Sequence, residues 1–234
     1  MKRFYAHAAA VPGADGFEIH LDGKPIRTPE GRIMSAPNEP LAALIAGEWN
    51  AQQGIVKPNS MPLTQTLNTV MERTGELRTQ TEKSVLGYLN TDLLCYRALE
   101  PEALAVRQAE AWDPWLQWFE GESGVMLLTT TDLSALKQPG QAHDYARRKI
   151  AVAGDWDFHV IQMATSISGS IVLALAFVEK AVSPDEIFAA AQVEELYRAE
   201  IYNEALYGAD PQQEKARAAM KRDLQALRIF LDSA

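Results

Sequence analysis

Residues Val160 to Val178, VIQMATSISGSIVLALAFV, run for nineteen positions without a charged side chain. A segment this long and this apolar needs either a bilayer or a protein interior around it. Its first half carries Gln162, Thr165, Ser166, Ser168 and Ser170, polar groups that lipid would leave unsatisfied. It therefore reads as the buried central helix of a soluble bundle, with Gly169 and its serine neighbours letting other helices approach closely. No stable membrane insertion is expected.

A buried helix needs other helices around it, and the sequence supplies them. Leu41, Leu44, Ile45 and Trp49 recur at three- and four-residue steps between Asn38 and Gln53. Pro58 and Pro62 precede a second helix over Leu63 to Leu89. Glu100 to Glu120 places Leu104, Gln108, Ala111, Trp112, Trp115 and Phe119 on one face. Further helices are predicted over Gln141 to Ala153, Asp157 to Lys180, Pro184 to Leu206 and Pro211 to Leu231. The string Ser183-Pro184-Asp185-Glu186 is a capping signature with proline in the first turn, and Gly208 is a suitable stop.

The first third has a different period. Phe17-Glu18-Ile19-His20-Leu21 alternates apolar and polar, and Asp22-Gly23 then separates it from Lys24-Pro25-Ile26-Arg27-Thr28. Asp-Gly between two such runs is a strong hairpin signal. Gly31 to Ala36 is compatible with one more short strand. The fold class is thus α+β, a small N-terminal antiparallel β domain followed by a larger all-helical domain. The boundary is placed at 1–60 and 61–234, with helix 38–53 able to pack on either part.

Charge and chemistry narrow the function. With 22 Lys and Arg against 31 Asp and Glu, the net charge of −9 repels nucleic-acid phosphates. The one basic cluster, Arg147-Arg148-Lys149, reads as a solvated helix face. Cys95 is the only cysteine, so no intramolecular disulfide can form. It sits in an apolar run and reads as buried and inert. The histidines (His7, His20, His143, His159) are scattered, and no P-loop, GxGxxG, GxSxG or HExxH pattern is present. No catalytic residue, cofactor or metal site is predicted.

One helical stripe is unusual. Ile187, Ala190, Ala191, Glu194, Tyr197 and Ile201 share a face, which puts an acid among apolar residues, with Glu195 beside it and Glu200 and Glu204 beyond. Such a carboxylate either finds a donor within the fold, for example Arg198, or faces a partner, because an unpaired buried charge is costly.

Six strings taken in order, LDGKPIRTP (21–29), EWNAQ (48–52), MPLTQTLNT (61–69), TDLLCYRA (91–98), RQAEAWDPWL (107–116) and GSIVLALA (169–176), resemble the assembly chaperones of the F₁ sector of ATP synthase found in mitochondria and α-proteobacteria. The resemblance covers most of the chain. It implies a β domain followed by a helical domain, and a non-enzyme that binds the unassembled α subunit of F₁ and shields the face destined for the β subunit. It also implies a monomer acting in the bacterial cytoplasm, or in the mitochondrial matrix of a eukaryote. The family's paired-acid motif falls on Glu194 and Glu195, followed by Tyr197. Here Arg198 replaces the family's glutamine, and Tyr202-Asn203 replaces its Trp-Gly pair. Motif alignment favours Glu195 as the partner-binding acid and helical phase favours Glu194, with Tyr197 and Arg198 beside them. Asp92, Arg97, Arg107, Trp112 and Asp113 read as structural, joining helices at the domain junction. The alternative is a small-molecule enzyme with a site in an interdomain cleft, using Asp92, Arg97, Arg107 and His159.

Overall fold

In the computed structural model, residues 1–202, 208 and 210–233 are described, without the side chains of 73–77. Asn203, Glu204 and Leu206 lie outside the described residues. The chain divides into two compact units, Met1–Arg78 with Gln225–Ala234, and Thr79–Leu224. The sequence reading draws its line at 60. The helix that follows residue 60 is bound into the first unit by side-chain hydrogen bonds that no periodicity reveals.

The first unit is built on a four-stranded antiparallel sheet of β1 (Ala8–Gly13), β2 (Gly16–Leu21), β3 (Lys24–Pro25) and β4 (Ser35–Ala36). Strand β2 is central. It pairs with β1 along its length, from Ala8 opposite Leu21 to Gly13 opposite Gly16. Its C-terminal half meets β3 and its N-terminal half meets β4. Asp22 and Gly23 form the β2–β3 turn with φ of 49° and 79°, the left-handed conformations that a two-residue hairpin of this twist needs. Asp22 also accepts hydrogen bonds from the amides of Ala6 and His7, which hold its carboxyl below the usual range.

Helix α1 (Glu39–Asn50) lies on β1 and β2, burying Leu41, Ala42, Ile45 and Ala46 against Ile19, Leu21 and Ala36. Asn38 caps it by accepting from the Leu41 amide at 3.0 Å, and its amide nitrogen donates to the Ser233 carbonyl. That second bond draws the C-terminal residues into the first unit. At the other end of α1, Asn50 accepts from the Ala8 amide and donates to the Ala8 carbonyl, both at 2.8 Å. An asparagine side chain thereby stands in for a paired strand. Glu48 accepts from the amides of Leu63 (2.7 Å) and Thr64 (2.8 Å) and from the Thr64 hydroxyl (2.7 Å). The two amides are first-turn donors of α2 (Pro62–Thr69), which have no intrahelical acceptor.

The predicted helix over Leu63 to Leu89 is helical throughout but not uniformly α. After α2 the chain takes a π-helical turn over Val70–Thr74, resumes as α3 (Gly75–Gly87), and tightens into a 3₁₀ turn at Tyr88–Thr91. The second unit then carries α4 (Glu102–Ser123), α5 (Gly140–Val152), α6 (Asp155–Ser168), α7 (Ile171–Val178), α8 (Pro184–Ala191) and α9 (Val193–Ile201). The last helix, α10 (Pro211–Asp232), gives its residues up to Leu224 to this unit.

Two continuous helices expected from the sequence are instead pairs. The charge-free stretch breaks at Gly169, whose φ of 73° ends α6, and Ser170 caps α7 by accepting from the Leu173 amide. Ser168 accepts from the Ser170 amide across the break. The serines read as close-packing points are therefore cap residues, and the side chain closest to Gly169 is that of Leu93. Every residue from Ile171 to Phe177 is buried, so the stretch is core as expected, in two shorter pieces. The other pair is α8 and α9, which part at Gln192 (φ −110°, ψ 11°). The capping box at Ser183 and Glu186 is present in full. Among the described residues, no helix is long and apolar enough to cross a membrane.

Because Glu48 satisfies three donors, Glu48→Ala is expected to destabilise folding by about 1–3 kcal/mol, with Glu48→Gln milder. Chemical denaturation followed by circular dichroism checks this, and an unchanged midpoint for Glu48→Ala would contradict the role.

Candidate functional site

Helix α4 organises the polar groups of the second unit. Its residues Gln108, Trp112 and Phe119 are buried at four- and seven-residue spacings, on one face of the helix. The Trp112 indole donates to the Ala190 carbonyl at 2.8 Å, tying the end of α8 to α4. Gln108 is fully buried and bonded on both sides, accepting from the Ala98 amide at 2.7 Å and donating to Glu194 at 2.8 Å. Arg107, one position earlier, grips Glu200 with both terminal nitrogens, at 2.6 and 3.0 Å. Its guanidinium also lies 5.2 Å from the centre of the Tyr197 ring. Arg97 pairs with Asp113 at 2.5 Å and lies 5.2 Å from the Trp112 ring centre.

Asp92 has a different environment. It is fully buried, and its carboxylate accepts from the Ser170 hydroxyl (3.0 Å) and from the amides of Val172 (3.1 Å) and Leu94 (3.1 Å). Two of these donors sit at the start of α7, where unsatisfied N–H groups and the helix dipole both favour an anion. Burial dominates the carboxyl's acidity all the same and pushes it up to about 6, with the hydrogen bonds opposing. Cys95, three residues on, is buried and pushed up to about 12 by desolvation and by Asp92, so its thiol stays protonated and inert.

The adjacent acids of α9 have separate fates. Glu194 is half-buried, held by Gln108 and 3.7 Å from Arg198. The donor within the fold that its position demanded is therefore Gln108, which the sequence had placed only on a helix face. Glu195 is exposed, and its carboxylate has no partner among the described residues; only its backbone carbonyl is engaged, by Arg217 at 3.4 Å. Further along the same segment Leu196, Ile201 and Tyr202 are 39%, 59% and 75% exposed. The break at Gln192 explains why Ile201 does not continue the buried face of Ile187 and Ala190, as the single-helix reading required.

The residues assigned to a small-molecule site are largely engaged or buried within the fold. Asp92 and His159 are both buried, Asp92 is spent on the cap of α7, and Arg107 is spent on Glu200. The basic cluster is partly neutralised, Arg147 by Asp144 and Lys149 by Glu179. Among the described residues there is no group of acids, histidines or cysteines able to hold a metal ion.

Residues 2–120 match the family model described as ATP12 chaperone protein. The chain belongs to the ATP12 chaperone family. The resemblance to F₁-ATPase assembly chaperones carried by the six strings is thereby confirmed at the level of the family. The mitochondrial protein atp12 of Schizosaccharomyces pombe is 23% identical over 209 residues, which is 84% of this chain and 72% of the yeast protein. The crystal structure of Atp12 from Paracoccus denitrificans superposes with a TM-score of 0.83 at 29% identity, covering 99% of this chain and 97% of that one. The Atu1473 protein of Agrobacterium tumefaciens gives 0.87 at 32% identity, covering 99% and 85%. These likenesses extend over the whole α+β fold, beyond the residues that the family model matches.

Two buried groups make opposing predictions about acid stability. Folding raises Asp92 from an ordinary value of about 4 to about 6, so its contribution favours folding increasingly as pH falls through that window. Folding lowers His159 from an ordinary value of about 6.5 to about 4, because burial disfavours its charged form, so its contribution is lost over nearly the same window. Each changes stability by at most about 1.4 kcal/mol per pH unit, and together they nearly cancel. Asp92→Asn is expected to steepen the loss of stability toward low pH and His159→Gln to flatten it, measured as urea midpoints between about pH 4 and 7. Parallel profiles for all three proteins would contradict the assignment.

Proposed function

We propose that this chain is a chaperone of F₁-ATPase assembly that holds the unassembled α subunit of ATP synthase, and that α9 carries the docking surface with Glu195 as its acid. The observation that carries the reading is the asymmetry of the acidic pair. Glu194 is satisfied internally, while Glu195 projects unpaired beside exposed Leu196 and Tyr202. An exposed acid on a segment that also leaves apolar side chains exposed suits a partner surface that offers a basic group within an apolar field. A subunit awaiting its neighbour exposes such a field, which promotes aggregation until it is covered. Reversible covering needs no reaction. Buried Asp92, capped α7 and the paired arginines then serve to hold the surface in shape.

Arg198 stands where the family motif has glutamine. At 3.7 Å from Glu194 it compensates the acid that already faces the fold and leaves Glu195 available. The protein is proposed to act as a monomer in a bacterial cytoplasm, or in the matrix if its source is a mitochondrion.

Capture of separately expressed F₁ α and β subunits by the immobilised chain tests the reading. Retention of α and not β is expected. Glu195→Lys should reduce α capture at least about tenfold while shifting stability by less than about 0.5 kcal/mol, as for an exposed site. Glu194→Lys should instead destabilise the fold by about 1–3 kcal/mol, because it leaves Gln108 without its acceptor. Full α capture by Glu195→Lys would remove the site assignment, and failure of the wild type to retain α would remove the partner.

A further inference from the structure

Helix α9 is held in place by unusual means. Val193 is its only buried residue, and the helix starts after a non-helical Gln192. Apolar burial, which holds α7 and α8, therefore does little to set its rotation. That rotation matters because neighbouring residues of an α-helix point about 100° apart, so any roll of α9 changes the direction in which Glu195 is presented.

Two consecutive residues of α4 take over the task. Gln108 holds Glu194 in the first turn of α9, and Arg107 holds Glu200 in the last, at 2.6 and 3.0 Å. Between them Tyr197 lies against the Arg107 guanidinium at 5.2 Å. Residues 194, 197 and 200 follow three-residue steps, so one stripe of α9 is bound to α4 along its length. The opposite stripe, at steps of four and three, is Glu195, Ala199 and Tyr202. A bidentate guanidinium–carboxylate pair that also stacks on an aromatic ring specifies direction as well as distance, which an ammonium cannot do.

We infer that Arg107 is a positioning residue for partner docking: by clamping Glu200 and Tyr197 it fixes the roll of α9 that presents Glu195 and Tyr202 outward. This rests on the docking surface proposed above. The clamp is half-exposed on the arginine side and exposed on the glutamate side, so its effect on global stability is small and its effect on presentation is the larger one.

The test is a charge-swap cycle with two readouts, affinity for the F₁ α subunit and amide hydrogen exchange of residues 194–202. Arg107→Glu and Glu200→Arg should each weaken capture about three- to tenfold and speed exchange in α9, and the double swap should restore most of both. Arg107→Lys, keeping charge but losing the fork, should fall between wild type and Arg107→Glu. Faster exchange with unchanged capture would overturn the docking role while leaving the proposed function to the Glu195→Lys result. Unchanged exchange and capture in the single variants, or a double swap that restores neither, would overturn the clamp. If wild-type protein captured no α subunit, the docking role would fall with the proposed function, and the exchange arm would judge the hold of Arg107 on α9 alone.

Discussion

The second unit depends on how the N-terminus of a fully buried helix is satisfied. Helix α7 is apolar on every side, so it must lie in the core, and its first amides then lie there too. Water cannot reach them, and leaving them unpaired would cost roughly 1–3 kcal/mol each. Ser170 supplies one acceptor from within the segment. Asp92, nearly eighty positions earlier in the chain, supplies the other and accepts from the Ser170 hydroxyl as well. The cap also places the segment after Asp92 against α7, where Leu93 donates to the Gly169 carbonyl at 3.0 Å.

From α7 the order passes outward. Helices α6 and α4 pack on α7, and α4 turns one face to the core through Trp112 and Phe119. Its neighbouring residues Arg107 and Gln108 reach α9. The surface that remains to α9 is therefore determined by polar contacts made at the edge of an apolar core. Charge placement follows the same gradient. The buried acid is a cap, the half-buried acid is bonded to a buried glutamine, and the exposed acid is free to meet another molecule. Burial alone would make each of the first two costly, and each is matched by donors whose position the fold dictates.

Much of this was legible in the chain. The change of period near Pro37, the Asp22-Gly23 turn, the capping box at Ser183 and the apolarity of residues 171–178 are local signals, and local physics suffices to read them. The breaks were not legible in the same way. Gly169 looked like a packing point, and only the left-handed φ it adopts makes it a terminus. Gln192 carries no breaker signature at all, so α8 and α9 read as one helix and the phase of Ile201 was misjudged. Gln108 was visible as a polar residue on an apolar face, yet its donor and its acceptor lie 10 and 86 residues away.

The sequence by itself determined the class of fold and the absence of familiar catalytic motifs, while the pair of acids on which recognition is proposed to turn was marked by the family resemblance. The fold class and the motif survey need only local signals, composition, periodicity and neighbours a few residues apart, which act whatever the rest of the chain does. Only the tertiary structure decided which acid of the pair is spent and which is presented. That choice rests on side chains brought together from distant segments, Gln108 with Glu194 and Arg107 with Glu200. No spacing along the chain encodes such a meeting, because it exists only once α7 is buried and α4 has packed against it.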